Sequence, residues 1–289
     1  MSKPARRFEL QPFTTAQWPL AQAMLERGFP DDRPTLWRKG LARRLAVPPQ
    51  SGDDTAGLLL TDGDGPAGMM LSYTSLRPDD DTPRRVTNLS SWFIEPRARF
   101  QALAMLRQAT ADPAVTYTDL SATPAVARML PLVGFRPIAH QFVIVPALHP
   151  TLVRGATPVL ASGQAALAQL QGHPLHQAFA DHLALGCLLC VVESRQGPQP
   201  IVLRPKDKAK LLRGAELIYA ASHAVFMQNI GPISRYLLGR GRPFLVFEAP
   251  QDAEIPVSSL RLFKRRFAKG PYDERGVDHL YSELAYLQL

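Results

Sequence analysis

Apolar residues recur at helical spacing over 15–27, with Gly28 just beyond, and again over 33–45, where Pro34 falls in the first turn. The period then shortens. Residues 57–61 and 68–73 read as two strands, and the Asp, Gly and Pro of 62–66 supply the turn between them. Residues 85–94, rich in β-branched and aromatic side chains, read as a long strand that stops at Pro96. Helical spacing returns over 97–109, with Phe100, Leu103 and Leu106 on one side. A strand at 115–120, a helix at 124–132 opening on Pro124, and a strand at 135–145 follow. This alternation is an α/β order that favours parallel neighbours.

Three prolines and little apolar pattern over 146–160 place a boundary there. Beyond it the pattern predicts helices at 162–171 and 174–184, and strands at 187–193, 201–204 and 217–221. A helix at 224–238, a strand at 243–248 and a late strand near 280–287 complete the second half. The expected organisation is a domain over 1–146, a linker over 147–160 and a second domain over 161–289. Both halves share a coarse element order without a residue-level repeat.

With 289 residues, 46% hydrophobic and 20% charged, the chain is long enough for two ordinary globular domains. Its apolar runs are too short to span a bilayer, and no apolar segment follows the basic N-terminus. Two cysteines argue against a disulfide framework, so a reducing, cytoplasmic location is expected. Cys187 and Cys190 have redox or metal spacing, but their apolar surroundings read as core. The intervals to His173, His176 and His182 fit no familiar zinc finger, and no metal is expected.

The net charge is +8, and two basic clusters stand out: Arg204, Lys206, Lys208 and Lys210, then Arg261, Lys264, Arg265 and Arg266. They read either as a solvated positive surface or as a face for an acidic partner or phosphorylated ligand. No recognised nucleic-acid motif accompanies them.

The chemistry concentrates at 92–106. A strand ends at Ile94, Glu95 and Pro96, and a short turn leads into an amphipathic helix. Such a junction presents backbone N–H groups where the helix dipole favours negative charge, and Arg97 and Arg99 add to it; a pyrophosphate suits the place. The stretch resembles the acyl-CoA-binding motif of the GNAT superfamily: a strand ending Val-x-Pro, then Arg or Gln, two residues, Gly, one residue, and Gly or Ala. Ile94, Glu95 and Pro96 stand for the strand end, and Arg99, Phe100, Gln101, Ala102, Leu103 and Ala104 for the phosphate loop. Residues 116–120 resemble the next family strand, and 125–136 the helix closing on Gly134, Phe135 and Arg136. The likeness covers about residues 10–146. This chain departs from the pattern at Ala102, where the family has glycine, and at Phe100, where a small residue is usual. It departs again at Leu130, where many members carry a tyrosine that protonates the leaving thiolate.

The resemblance implies two mixed-sheet domains of GNAT type in tandem, an α/β (α+β) fold with helices on both faces and a degenerate second half. It implies acyl-CoA, acetyl-CoA or longer, as co-substrate. Its pyrophosphate lies on 99–104 and its pantetheine along the strand edge that includes Phe93 and Ile94. An amine acceptor, a small molecule or a protein, attacks the thioester directly. Asp119 is the expected base, with Tyr117 and Ser90 as hydrogen-bonding groups; Tyr117 and Asp119 also read as ordinary strand-end residues. Asn88, Ser91 and Ser121 lie nearby, and Glu95 points away from the expected site. An acyl carrier protein is an alternative donor, met by the basic clusters. Phe100, Ala102 and Leu130 point to another reading, a non-catalytic acyl-CoA-binding or scaffold protein.

Overall fold

The computed structural model describes residues 7–30, 35–47, 52, 54–79, 82–139, 141–154, 157–208, 212–249, 254–255, 259–263 and 265–287. Its strands are β1 (Glu9–Thr14), β2 (Thr55–Asp62), β3 (Gly65–Arg77), β4 (Arg84–Ile94), β5 (Thr116–Asp119), β6 (Arg136–Ala139), β7 (Gln141–Pro146) and β8 (Ala161–Ser162). They continue with β9 (Leu188–Val192), β10 (Gln199–Lys208), β11 (Leu212–Ala220), β12 (Phe244–Ala249), β13 (Leu260–Leu262), β14 (Arg266–Lys269) and β15 (Val277–Asp278). Seven strands form one mixed sheet in the order β1-β2-β3-β4-β5-β14-β6, and the rest form a second around β13-β7-β12-β11-β10-β9-β8.

The chain divides into two compact units, Met1–Arg136 with Phe267–Pro271, and Pro137–Arg266 with Tyr272–Leu289. This differs from the division expected at 147–160, of which residues 155 and 156 lie outside the described residues. Proline content marks a turn-rich stretch, whereas the division into units follows which strands pair. The single strand expected over 135–145 is two strands in different sheets. Pro137 removes a ladder donor, and β6 is accordingly an edge strand.

In the first unit α1 (Trp18–Gly28), α2 (Thr35–Ala46), α3 (Ala102–Ala109) and α4 (Pro124–Met129) accompany the sheet. Strong helix formers fill α3, and its Met105 and Leu106 are buried. They pack with Leu89 and Ile94 of β4, Tyr117 of β5 and Phe267 of β14. Burying each large apolar side chain stabilises by roughly 1.5–3 kcal/mol. Helix α4 starts on Pro124, and the Thr123 side chain accepts a hydrogen bond from Val126 N. The 3₁₀ turn Leu130–Val133 that follows ends at Gly134, whose φ of 90° only glycine adopts readily.

The second unit carries α5 (Pro150–Val153), α6 (Gln164–Gln169), α7 (His176–Ala184), α8 (His223–Gln228), α9 (Ile230–Leu238) and α10 (Glu283–Tyr286). The helix expected over 224–238 is therefore two. The strand expected near 280–287 is a buried helical turn, because Ser282 accepts from Leu284 N and donates to His279 O. No helix among the described residues is long and apolar enough to cross a membrane.

Candidate functional site

Strands β4 and β5 run parallel from Val86 beside Thr116 to Leu89 beside Asp119. Beyond that pair β4 continues to Ile94 without β5. The divergence begins at a bulge: Met70 pairs with Trp92 and Leu71 with Ser90, so Ser91 is an extra residue, at a φ of 39°. A left-handed non-glycine residue costs of order 1–3 kcal/mol, so the surrounding pairs must impose it.

A cavity of about 360 Å³ lies along β4 beyond this fork; Ser90, Tyr117 and Asp119 are not among its lining residues. Trp92, Phe93 and Ile94 of β4 line it with Arg99, Ala102 of α3, Val126 and Met129 of α4, and Gly28 and Phe29 at the end of α1. Apart from Arg99 the lining side chains are apolar. Gly28 lies against Phe93 so closely that an added Cβ would sit 2.4 Å from the ring.

The turn after β4 is a 3₁₀ helix, Pro96–Gln101. Its amides are less free than the sequence suggested: Ala98 N donates to Glu95 O and Ala102 N to Arg99 O. The two arginines part ways. Arg97 is paired with Glu95 and Asp62, and Glu95 also holds Arg27 of α1 at 2.7 Å. Arg99 has no ion-pair partner among the described residues and reaches the cavity. Phe93, Ile94, Arg99 and Ala102 thus line the cavity, whereas Phe100, Gln101, Leu103 and Ala104 do not. The Phe100 ring is 70% exposed and meets Phe8 edge-on, so it does not plug the turn.

Tyr117 and Asp119 share the α3 face of the sheet; Leu89 and Phe267 flank Asp119 in register, and Thr87 and Lys269 flank Tyr117. Burial pushes the Tyr117 hydroxyl above its usual pKa, so it stays protonated. Asp119, at the last paired position, accepts from Ser121 N at 3.3 Å. Ser90 lies on the opposite face, its Oγ 3.1 Å from that of Ser91. Asn88 donates to Thr118 O and Oγ1, tying β4 to β5 just before they part. Leu130 is buried in the core and offers no proton. Sequence reasoning missed Gly28, Phe29, Trp92, Val126 and Met129 as lining. A glycine ending an amphipathic helix reads as a cap, and nothing local says what packs on it.

The second unit repeats the topology and closes the fork. Strands β11 and β12 run parallel from Gly214 beside Phe244 to Glu216 beside Val246. Beyond Glu216, β15 pairs with Tyr219 and Ala220. Strand β10 holds the other edge at those residues, so β15 occupies the β12 side. Polar and charged side chains gather there: Arg266 is paired with Glu216 and Glu248, Arg204 and Lys206 with Glu216, and His279 Nε2 lies 2.7 Å from Glu248 Oε1. Burial acts to raise the Glu216 pKa, but Arg204, Arg266 and Lys206 together hold it far below the carboxylate range. Burial, then Arg266, lowers His279 well below its usual value, so it is neutral. Burial brings Lys206, the outermost cation, down to about 8 against the pull of Glu216.

This corrects the expected basic face. Arg204 and Arg266 are 2% and 1% exposed and serve the interior, while Lys210 and Lys264 lie outside the described residues. Cys187 and Cys190 are buried, and burial raises the Cys190 thiol to about 12. His182 is committed on both ring nitrogens, to Ala178 O and Tyr281 N.

No known family's sequence pattern matches the chain, and no curated protein matches it. Solved structures do. A GCN5-related N-acetyltransferase from Kribbella flavida superposes with a TM-score of 0.56 at 11% identity, over 91% of this chain and 71% of its own. One from Anabaena variabilis gives 0.58 at 11% identity, over 91% and 72%. A candidate acetyltransferase from Pyrococcus horikoshii gives 0.56 at 13%, over 99% and 97%. The likeness is one of backbone: the chain has the GNAT superfamily fold, built on two mixed sheets.

Proposed function

We propose that the protein binds acyl-CoA in the fork of its first unit and transfers the acyl group to an amine. The carrying observation is the end of β4–β5 pairing at Leu89 and Asp119, beyond which a cavity of about 360 Å³ lies along β4 with Arg99 at its edge. Arg99 suits a diphosphate, and the apolar lining suits the pantetheine arm and acyl chain. The amine nitrogen attacks the thioester carbonyl carbon, a C–N bond forms, the C–S bond breaks, and CoA leaves as thiolate. N–H groups of β4 released from β5 beyond Leu89 polarise the carbonyl. Asp119 receives the amine proton. Ser90 acts as a hydrogen-bonding group, whereas Tyr117, held protonated, lines a different cavity toward the other end of the strands and takes no part. With leucine at 130, the thiolate takes its proton from solvent.

Burial of Arg204 and Arg266 weakens the case for docking an acidic acyl carrier protein and favours free CoA as donor carrier. Calorimetric titration with CoA and acyl-CoAs, followed by thiol release with a panel of amines, tests the reading. Absence of CoA binding overturns it. Binding without thiol release supports the scaffold reading, which Leu130 favours.

A further inference from the structure

A second cavity, of about 170 Å³, opens in the first unit toward the other end of β4 and β5 and shares no lining residue with the first. It exists because α3 is short. Eight residues of helix extend about 12 Å, whereas the eleven residues of β4 run about 36 Å. Under the helix the sheet face is apolar, with Met70, Leu89 and Ile94. Past its end the same face turns to hydroxyls: Ser72, Thr74, Thr87 and Tyr117 line the second cavity. The Thr74 and Thr87 hydroxyls lie 3.0 Å apart.

Over this bed stand one cation and one anion. Arg85 Nη1 and Asp112 Oδ2 are 3.9 Å apart, and both side chains are about half exposed. That separation exceeds a hydrogen bond, so each has capacity for a closer partner. The other carboxylate oxygen of Asp112 is taken by Ala114 N at 2.9 Å. A ligand with both charges matches the pair, its carboxylate on the guanidinium fork and its ammonium on Asp112 Oδ2. An apolar cavity of about 150 Å³ holds benzene, so the space admits about six heavy atoms. We propose that this cavity binds a small free amino acid as its zwitterion, at a site separate from the acyl-CoA fork. The inference does not rest on the acyltransfer reading.

The test is calorimetric and thermal-shift titration of the full chain with glycine, alanine, serine and threonine, with and without CoA. Acetate and methylammonium serve as single-charge controls. Saturable binding of at least one amino acid is expected, unaffected by CoA and not reproduced by either control. Arg85→Ala and Asp112→Asn should each weaken it at least about tenfold. Thr87→Val should weaken it less. No binding up to about 10 mM, a concentration that reveals even weak sites, overturns the proposal. So does binding that both charge variants leave unchanged, or binding that CoA displaces. If Arg85→Ala lowers the melting temperature of the free protein, Arg85→Gln and Asp112→Asn read the same contrast.

Discussion

Leu89 and Asp119 are the last residues at which β4 and β5 lie side by side, and Asp119 places a carboxylate at the point where they part. The equivalent last pair of the second unit is Glu216 and Val246, and there β15 takes up the space beside a buried ion network. One fork is open and the other is filled. That difference, in one topology used twice, assigns the acyl-CoA site to the first unit in the reading proposed above.

If Asp119 receives the amine proton, Asp119→Asn removes the acceptor while keeping the shape. The turnover number should fall by about 10²–10⁴-fold. CoA affinity, measured by calorimetry, should stay within about twofold, since a carboxylate beside the thioester adds little to ground-state binding. An unchanged turnover number rules Asp119 out as base.

Arg99 and Arg97 should behave differently although they are two positions apart. Arg99→Ala should cost about 1.5–3 kcal/mol of CoA affinity, the worth of a charged hydrogen bond, and flatten its salt dependence. Arg97 is already engaged by Glu95 and Asp62. Arg97→Ala should leave CoA affinity intact and lower stability instead, because it strips the buried Asp62 carboxylate of a cation. Calorimetry at two ionic strengths checks both.

Gly28→Ala places a methyl group 2.4 Å from the Phe93 ring. The ring must move into the cavity or α1 must lift. Overpacking of this kind costs about 1–3 kcal/mol, so a lower melting temperature and weaker CoA binding are expected together. Full retention of both would mean that the contact yields freely.

The Glu216 carboxylate is buried among Arg204, Lys206 and Arg266, and its folded pKa is depressed. Its contribution is therefore complete above the unfolded glutamate value of about 4.3 and is lost as pH falls below it. The melting temperature should hold from neutral pH to about 5 and then drop as this carboxylate is forced to protonate. Glu216→Gln leaves the cations uncompensated in the interior and should cost about 3–5 kcal/mol at neutral pH, with a flatter acid limb. Thermal melts across pH measure both.

Local signals carried much of the first unit. The strand stop at Pro96 and the Thr123–Pro124 start of α4 act within a few residues, and those boundaries stand where the pattern puts them, whereas the helix expected over 97–109 is a 3₁₀ helix to Gln101 and α3 only from Ala102. The signals failed where neighbours distant in sequence decide. Strand β1 pairs with β2 across some fifty residues (Leu10 beside Leu60), and its own alternation is too irregular to announce it. Residues 280–287 alternate like a strand, yet Ser282 and burial on all sides make them a turn of helix. Arg204 and Arg266 look like surface charge until Glu216 and Glu248 are brought against them.

Within the sequence alone lay the periods, the caps and the strand-to-helix junction at 94–104, because propensity and capping are short-range forces. The tertiary structure decided where β4 and β5 stop pairing, that β14 joins the first sheet and β7 the second, and that Arg99 rather than Arg97 faces the cavity. Pairing register and charge partnership depend on packing across the whole chain, and no window of neighbouring residues contains that information.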